Sequence, residues 1–243
     1  MPVLELALLH IRQPTSDSTT SSVDPLTPDI RQALHYALHV LCARTPERYQ
    51  FTLLQQHEDP SYLYIVGLWP SVESHEEFLP SDENKRLLSS LEGQVDVEWM
   101  YHAQISTSTS DNTVVSDATT FFNESPVVAI GRHGVESAKK AVFEETWRAG
   151  AGGLASFSGR NPVGGWRVGR IYGAKKDAAA SGTGENINDE WLLFSGWDAV
   201  EKHSAFAASD EFKEYSKMRP HVATFEVRHA RKVASSAEKE ISG

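Results

Sequence analysis

The 243-residue sequence has ten histidines and one cysteine. Imidazole is therefore the side chain best suited to acid–base chemistry near neutral pH. Two histidines close alternating apolar rows: His10 follows Leu4, Leu6 and Leu8, and His133 follows Val127, Ala129 and Gly131. Period two sets each row on one face of a strand. If helices cover that face, each histidine stands at the rim of an apolar pocket. There it could take a proton from a phenol or an activated carbon acid. Further along, Val97, Trp99 and Tyr101 alternate onto one face, as do Phe225, Val227 and His229. Tyr101 and His229 could then donate a hydrogen bond to a phenolate. The catalytic candidates are His133, His10, His229 and Tyr101. Trp147, Trp166, Trp191, Trp197 and Phe206, with Trp69 and Trp99, are candidates for the wall of a site that takes a small planar aromatic ligand.

The other polar candidates have plainer readings. His75 and His203 fall in apolar helical stripes, Val72/His75/Leu79 and Val200/His203/Phe206, and are read as core residues. Glu98 and Glu226 are expected to pair with Arg170 or Arg228. His35 and His39 lie one helical turn apart without a third ligand, so no metal is expected. The stretch from Gly150 to Gly173 is glycine-rich but has neither a phosphate-binding loop nor a dinucleotide fingerprint, and is read as a flexible loop over the second pocket. A net charge of -10 argues against nucleic acid and anionic membrane surfaces. No apolar run approaches the roughly 18 residues of a membrane span. The lone Cys42 excludes an intrachain disulfide and suits a reducing, cytoplasmic setting.

These residues must be positioned by repeated elements. Trp69-x-x-Val72-Glu73-x-His75-x-x-Phe78-x-x-Ser81-Asp82-Glu83 recurs as Trp197-x-x-Val200-Glu201-x-His203-x-x-Phe206-x-x-Ser209-Asp210-Glu211, eight identities in fifteen positions at an offset of 128. Leu8-Leu9-His10 is matched to Gly131-Arg132-His133 at a slightly different offset. Each copy reads β-α-β-β-α-β. The expected organisation is a ferredoxin-like repeat over 1–105, a linker over 106–125, a second repeat over 126–233 and a disordered tail over 234–243. Residues 178–189 are expected to form a hairpin excursion. One such unit is an antiparallel sheet with helices on one face, and its bare face must be covered. Two copies cover each other, which predicts an α+β fold in which the repeats close an intramolecular, pseudo-dimeric barrel.

The Trp-x-Ser-x-Glu-x-His-x-x-Phe-x-x-Ser pattern resembles the antibiotic-biosynthesis-monooxygenase-like members of the dimeric α/β barrel superfamily. The resemblance implies a ligand between sheet and helices. It also implies a small-molecule enzyme of aromatic or polyketide secondary metabolism, a cofactor-independent monooxygenase being the leading expectation. A cyclase or isomerase without O₂ and a non-catalytic, stress-related ligand-binding barrel are the alternatives. The plant-type cyclases of the fold use a Tyr and a His where this chain has Phe78 and Asn84, or Phe206 and Phe212, so that mechanism is not expected. No cofactor is expected; haem is the less favoured possibility, because no motif fixes an axial histidine. A monomer or homodimer is expected. A cavity of several hundred Å³ with His133 on its wall would favour an enzyme, and pockets filled by Trp and Phe would argue against one.

Overall fold

The computed structural model describes residues 1–12, 24–47, 49–105, 111–173 and 187–235. The hairpin excursion and the tail fall largely outside them. The first repeat comprises β1 (Val3–Ile11), α1 (Pro28–Arg44), β2 (Phe51–Gln56), β3 (Tyr62–Trp69), α2 (Val72–Phe78), α3 (Asp82–Leu91) and β4 (Val95–Ile105). After α4 (Asp111–Glu124), the second repeat comprises β5 (Val127–Glu136), α5 (Lys140–Ser158), β6 (Val163–Tyr172), β7 (Ile187–Trp197), α6 (Val200–Phe206), α7 (Glu211–Tyr215) and β8 (Thr224–Ser235). The strands close a barrel in the order β1-β3-β2-β8-β5-β7-β6-β4. Every pairing is antiparallel. Each repeat's last strand pairs with the other repeat's second strand, β4 with β6 and β8 with β2. The repeats thus remove each other's open edges, which would otherwise invite association.

Alternation sorts the strands' side chains between two environments. Leu4, Leu6, Tyr64, Val66, Trp99, Tyr101, Val128 and Ile130 fill the barrel interior. Val3, Ala7, Leu9 and Ile11 pack outward beneath α1, which buries Ile30, Leu34, Ala37, Leu38 and Leu41 at helical spacing. Thr27 caps that helix, its hydroxyl oxygen accepting from the Ile30 amide at 3.4 Å, and Pro28 occupies the first turn. Each buried Leu or Ile contributes about 1.5–3 kcal/mol of burial free energy, so the stripe holds the helix far more firmly than its cap does.

Three sequence readings of strand faces are corrected. The row Leu4, Leu6, Leu8 faces the barrel interior, not the helices. Val3 opposes Trp69 as Val127 opposes Trp197, so His133 is equivalent to Leu9 and not to His10. A one-residue slip reverses the face of every side chain. In β4 a bulge breaks the register: Trp99 opposes Leu8 and Val97 opposes Leu9. Val97 therefore packs on the helix side while Trp99 and Tyr101 turn inward.

The expected linker carries α4, whose Ala118, Phe121 and Phe122 join the barrel core; Phe122 packs edge-on against Phe194 at 5.2 Å. Its Ser/Thr-rich flanks mask that i, i+3, i+4 apolar face. The glycine-rich stretch after Ala149 continues α5 to Ser158 instead of forming a loop. A Cβ at Gly150 would stand 2.8 Å from the Tyr215 Cα, and one at Gly153 2.8 Å from the Glu211 carbonyl oxygen. These glycines let α5 press backbone to backbone on α7.

Candidate functional site

A cavity of about 500 Å³ lies between the second repeat's sheet and its helices, walled by β5, β7 and β8 on one side and α6, α7 and the turn after α7 on the other. Side-chain size explains why it opens here. On the helix-facing row, Val127, Ala129, Gly131 and His133 stand where the first repeat has Val3, Glu5, Ala7 and Leu9. Ser195 stands where the first repeat has Gly67, a position whose Cβ space is filled by the Phe51 ring. Ala129 and Gly131 are smaller than Glu5 and Ala7, and Ser195 borders the cavity where the Phe51 ring fills the first copy.

His133 is buried on the cavity wall, 1% exposed, beside Phe143 and Phe225. Its Nδ1–H donates to the Trp191 carbonyl at 3.3 Å, which fixes the tautomer and leaves Nε2 as a lone-pair acceptor. That Nε2 is buried with no hydrogen-bond partner among the described residues. Burial lowers the His133 pKa to about 4, so the ring is neutral at pH 7.

A chain of three groups starts on the helix wall, at His203, and runs through β8 out of the cavity. His203 of α6 stacks on Trp197 with ring centres 4.5 Å apart, and the Trp197 N–H donates to Ser195 at 2.8 Å. Nδ1 of His203 lies 2.7 Å from Nε2 of His229, and Nδ1 of His229 lies 2.6 Å from a Glu58 carboxylate oxygen. An ionised carboxylate only accepts, so His229 Nδ1 donates to Glu58, and His203 Nδ1 then donates to His229 Nε2. The remaining nitrogen of His203, Nε2, has no hydrogen bond to another described residue. Burial would raise the Glu58 carboxyl, but hydrogen bonds from the His229 ring and backbone outweigh it and hold the carboxyl below its usual range. Burial, and secondarily the neighbouring His229, lowers His203 to about 4. Glu58 belongs to the turn between β2 and β3. The β2–β8 pairing, Gln56 opposite Ala230, carries it across to the second repeat's site.

Of the sequence candidates, His133, His229 and Phe206 line the cavity, and Trp197 lies one layer behind. Trp147, Trp166 and Trp191 pack with one another and Phe143 in the neighbouring core, with ring centres 5.1–5.9 Å apart. His10 sits at the end of β1 against Tyr62 and 4.0 Å from Glu98. Trp69 packs in the first repeat's core. Trp99 and Tyr101 lie inside the barrel, where Arg132 spans both rings and pairs with Glu190 at 2.6 Å. Tyr101 donates to the same Glu190 at 3.3 Å, so it does not share a site with His229. Glu226 pairs with Arg228 at 3.0 Å and Arg170 with Glu76 at 3.6 Å. Sequence reasoning missed His203, which looked like a core residue, and Glu58, whose role depends on a pairing between repeats.

The sequence matches no protein-family model and no curated protein. Solved structures do match. A candidate monooxygenase from Fusobacterium nucleatum is 10% identical with a TM-score of 0.61, covering 96% of this chain and 93% of its own. An anthrone oxidase-like protein is 13% identical with a TM-score of 0.59, covering 99% and 96%. What they share is the fold. The chain is a tandem dimeric α+β barrel, as the helix motif implied. Chlorite dismutase from Candidatus Nitrospira defluvii also shares it, at 7% identity and a TM-score of 0.52, covering 96% and 91%. Chlorite dismutases are haem proteins, which overturns the expectation of no cofactor with haem as an unlikely exception. His133 has a form suited to an axial ligand: a buried imidazole with Nδ1–H on a carbonyl and a bare Nε2. Among the described residues no helix is long and apolar enough to cross a membrane.

Proposed function

We propose that the chain is a small-molecule enzyme whose site is the second repeat's cavity, and that it removes a proton from a planar phenolic or carbon-acid substrate. The observation that carries this reading is an apolar cavity with two imidazole nitrogens that have no partner among the described residues, one of them backed by Glu58–His229. Phe206 and Phe225 offer faces for a flat ring, and His133 Nε2 accepts the hydrogen bond of a substrate hydroxyl. His203 Nε2 takes the acidic proton. As it does, His203 Nδ1–H can pass to His229 and the His229 proton toward Glu58, so the positive charge moves to the ionised carboxylate instead of remaining buried. Exclusion of water strengthens each of these contacts.

The substrate anion is the common intermediate of the oxygenase and cyclase readings. Reaction at a CH₂ with O₂ gives the ketone and water, the monooxygenase outcome, with aromatic or polyketide metabolism as its setting. Without O₂ the same anion can cyclise or isomerise. The test is O₂ uptake and product analysis with anthrone-like substrates, on the wild type and on His203→Ala and His133→Ala. Turnover that both substitutions depress at least tenfold supports the reading. Turnover indifferent to both, or binding outside the cavity, sinks it. A second reading rests on His133 alone: it would hold a haem, which would supply redox chemistry on a bound oxidant. A haem titration that gives a Soret band lost in His133→Ala supports that reading over the first.

A further inference from the structure

The first repeat gathers Glu5 from β1, His75 from α2 and His102 from β4, all buried. Nδ1 of His75 lies 2.7 Å from Nε2 of His102 and 3.4 Å from Oε2 of Glu5, and the three ligand atoms lie within 4.8 Å of one another. We propose that these residues form a binding site for one first-row divalent metal ion, which clasps α2 to the barrel wall.

The donor set and its spacing support this. Two imidazoles and a carboxylate suit Zn²⁺ and its neighbours. Ligands at about 2.1 Å around a tetrahedral ion stand roughly 3.4 Å apart. The His75–Glu5 separation already matches that spacing, and the two imidazoles need to part only slightly. The outer contacts are also in place. The Trp69 indole stacks on His75 with ring centres 4.3 Å apart, and its N–H donates to Glu5 at 2.5 Å, fixing two of the three ligands.

The second repeat is an internal contrast. It keeps the stacked Trp197 and the pair His203–His229, but Ala129 stands in place of Glu5 and the Trp197 N–H turns to Ser195. The third ligand is therefore missing on that side.

Chelator-treated full-length protein titrated with Zn²⁺ by calorimetry tests the site. The expected result is one ion per chain, with affinity at least tenfold weaker in Glu5→Gln and unchanged when the exposed His35 and His39 are both replaced by Ala. Thermal unfolding should shift upward with Zn²⁺ in the wild type and not in Glu5→Gln. No stoichiometric binding, or binding that survives Glu5→Gln and vanishes with His35 and His39, overturns the proposal. Should Glu5→Gln not fold, a Zn²⁺-soaked wild-type crystal decides: an anomalous peak among Glu5, His75 and His102 supports the site, and a peak elsewhere or none refutes it.

Discussion

His133 should make the protein lose stability as pH falls below neutrality, by an amount the structure sets. Its ring is fully enclosed, and burial lowers its pKa from 6.5 to about 4. In the unfolded chain the same imidazole protonates near 6.5. Between those values the unfolded state binds the extra proton, so stability is complete above pH 6.5 and lost as pH falls toward 4. One pKa unit corresponds to about 1.36 kcal/mol. At pH 5.0 the 1.5 units below 6.5 therefore amount to a loss of about 2 kcal/mol, a large share of a typical 5–15 kcal/mol. His133→Gln removes the titration while keeping a side-chain N–H for the Trp191 carbonyl. Urea unfolding at pH 7.5 and 5.0 gives the free energies of both proteins. The wild type should lose about 2 kcal/mol more than the variant over that interval. The other lowered histidines, His75, His102 and His203, are present in both proteins and largely cancel. Equal losses in the two proteins would show that His133 is not the buried neutral base described above.

The close approach of α5 and α7 predicts that Gly150→Val destabilises by about 1–3 kcal/mol, because its Cβ would meet Tyr215 backbone at 2.8 Å. Gly152→Ala on the same helix, with open space around it, should raise the thermal midpoint instead. Arg132→Met removes a buried cation that pairs with Glu190 at 2.6 Å and Glu226 at 3.7 Å. It should cost about 3–5 kcal/mol in chemical unfolding, much of it recovered by adding Glu190→Leu. Glu58→Gln should lower kcat on a cavity substrate by about 10²-fold, the lower end of a general base's contribution, with KM little changed. An unchanged kcat would remove Glu58 from the relay.

The architecture was legible because its signals are local. The Trp–Val–Glu–His–Phe motif marks a strand end and the start of a helix, and its recurrence at an offset of 128 betrays the duplication. Faces were harder to read. The β1 and β5 strands are related by an offset of 124, as Val3 and Val127 show, and the one-residue misalignment paired His10 with His133 on the wrong face. The bulge in β4 left no sequence mark that could predict the inward turn of Tyr101. The α4 helix was hidden because its apolar residues, Val114, Val115, Ala118, Phe121 and Phe122, lie within a Ser/Thr-rich stretch that reads as a linker. Glu58 was invisible for a different reason. It lies 171 positions from His229, and only barrel closure brings them together.

The two repeats show how one backbone can favour different chemistry through residue volume and the source of a carboxylate. Both keep a Trp stacked on a helix histidine, which in turn contacts a histidine of the repeat's last strand. In the first repeat the carboxylate comes from within, at Glu5, and Leu9 and Phe51 close the space around it. The result is a dry, tightly enclosed cluster suited to a small cation. In the second repeat Ala129 and Gly131 leave the wall thin. The carboxylate arrives from outside, at Glu58 of the other repeat, where its side chain is 35% exposed. A proton taken inside the cavity can thereby reach a group in contact with water. Barrel closure therefore does more than cover two bare sheets: the β2–β8 seam brings Glu58 of the first repeat to His229, where the proposed proton path would end.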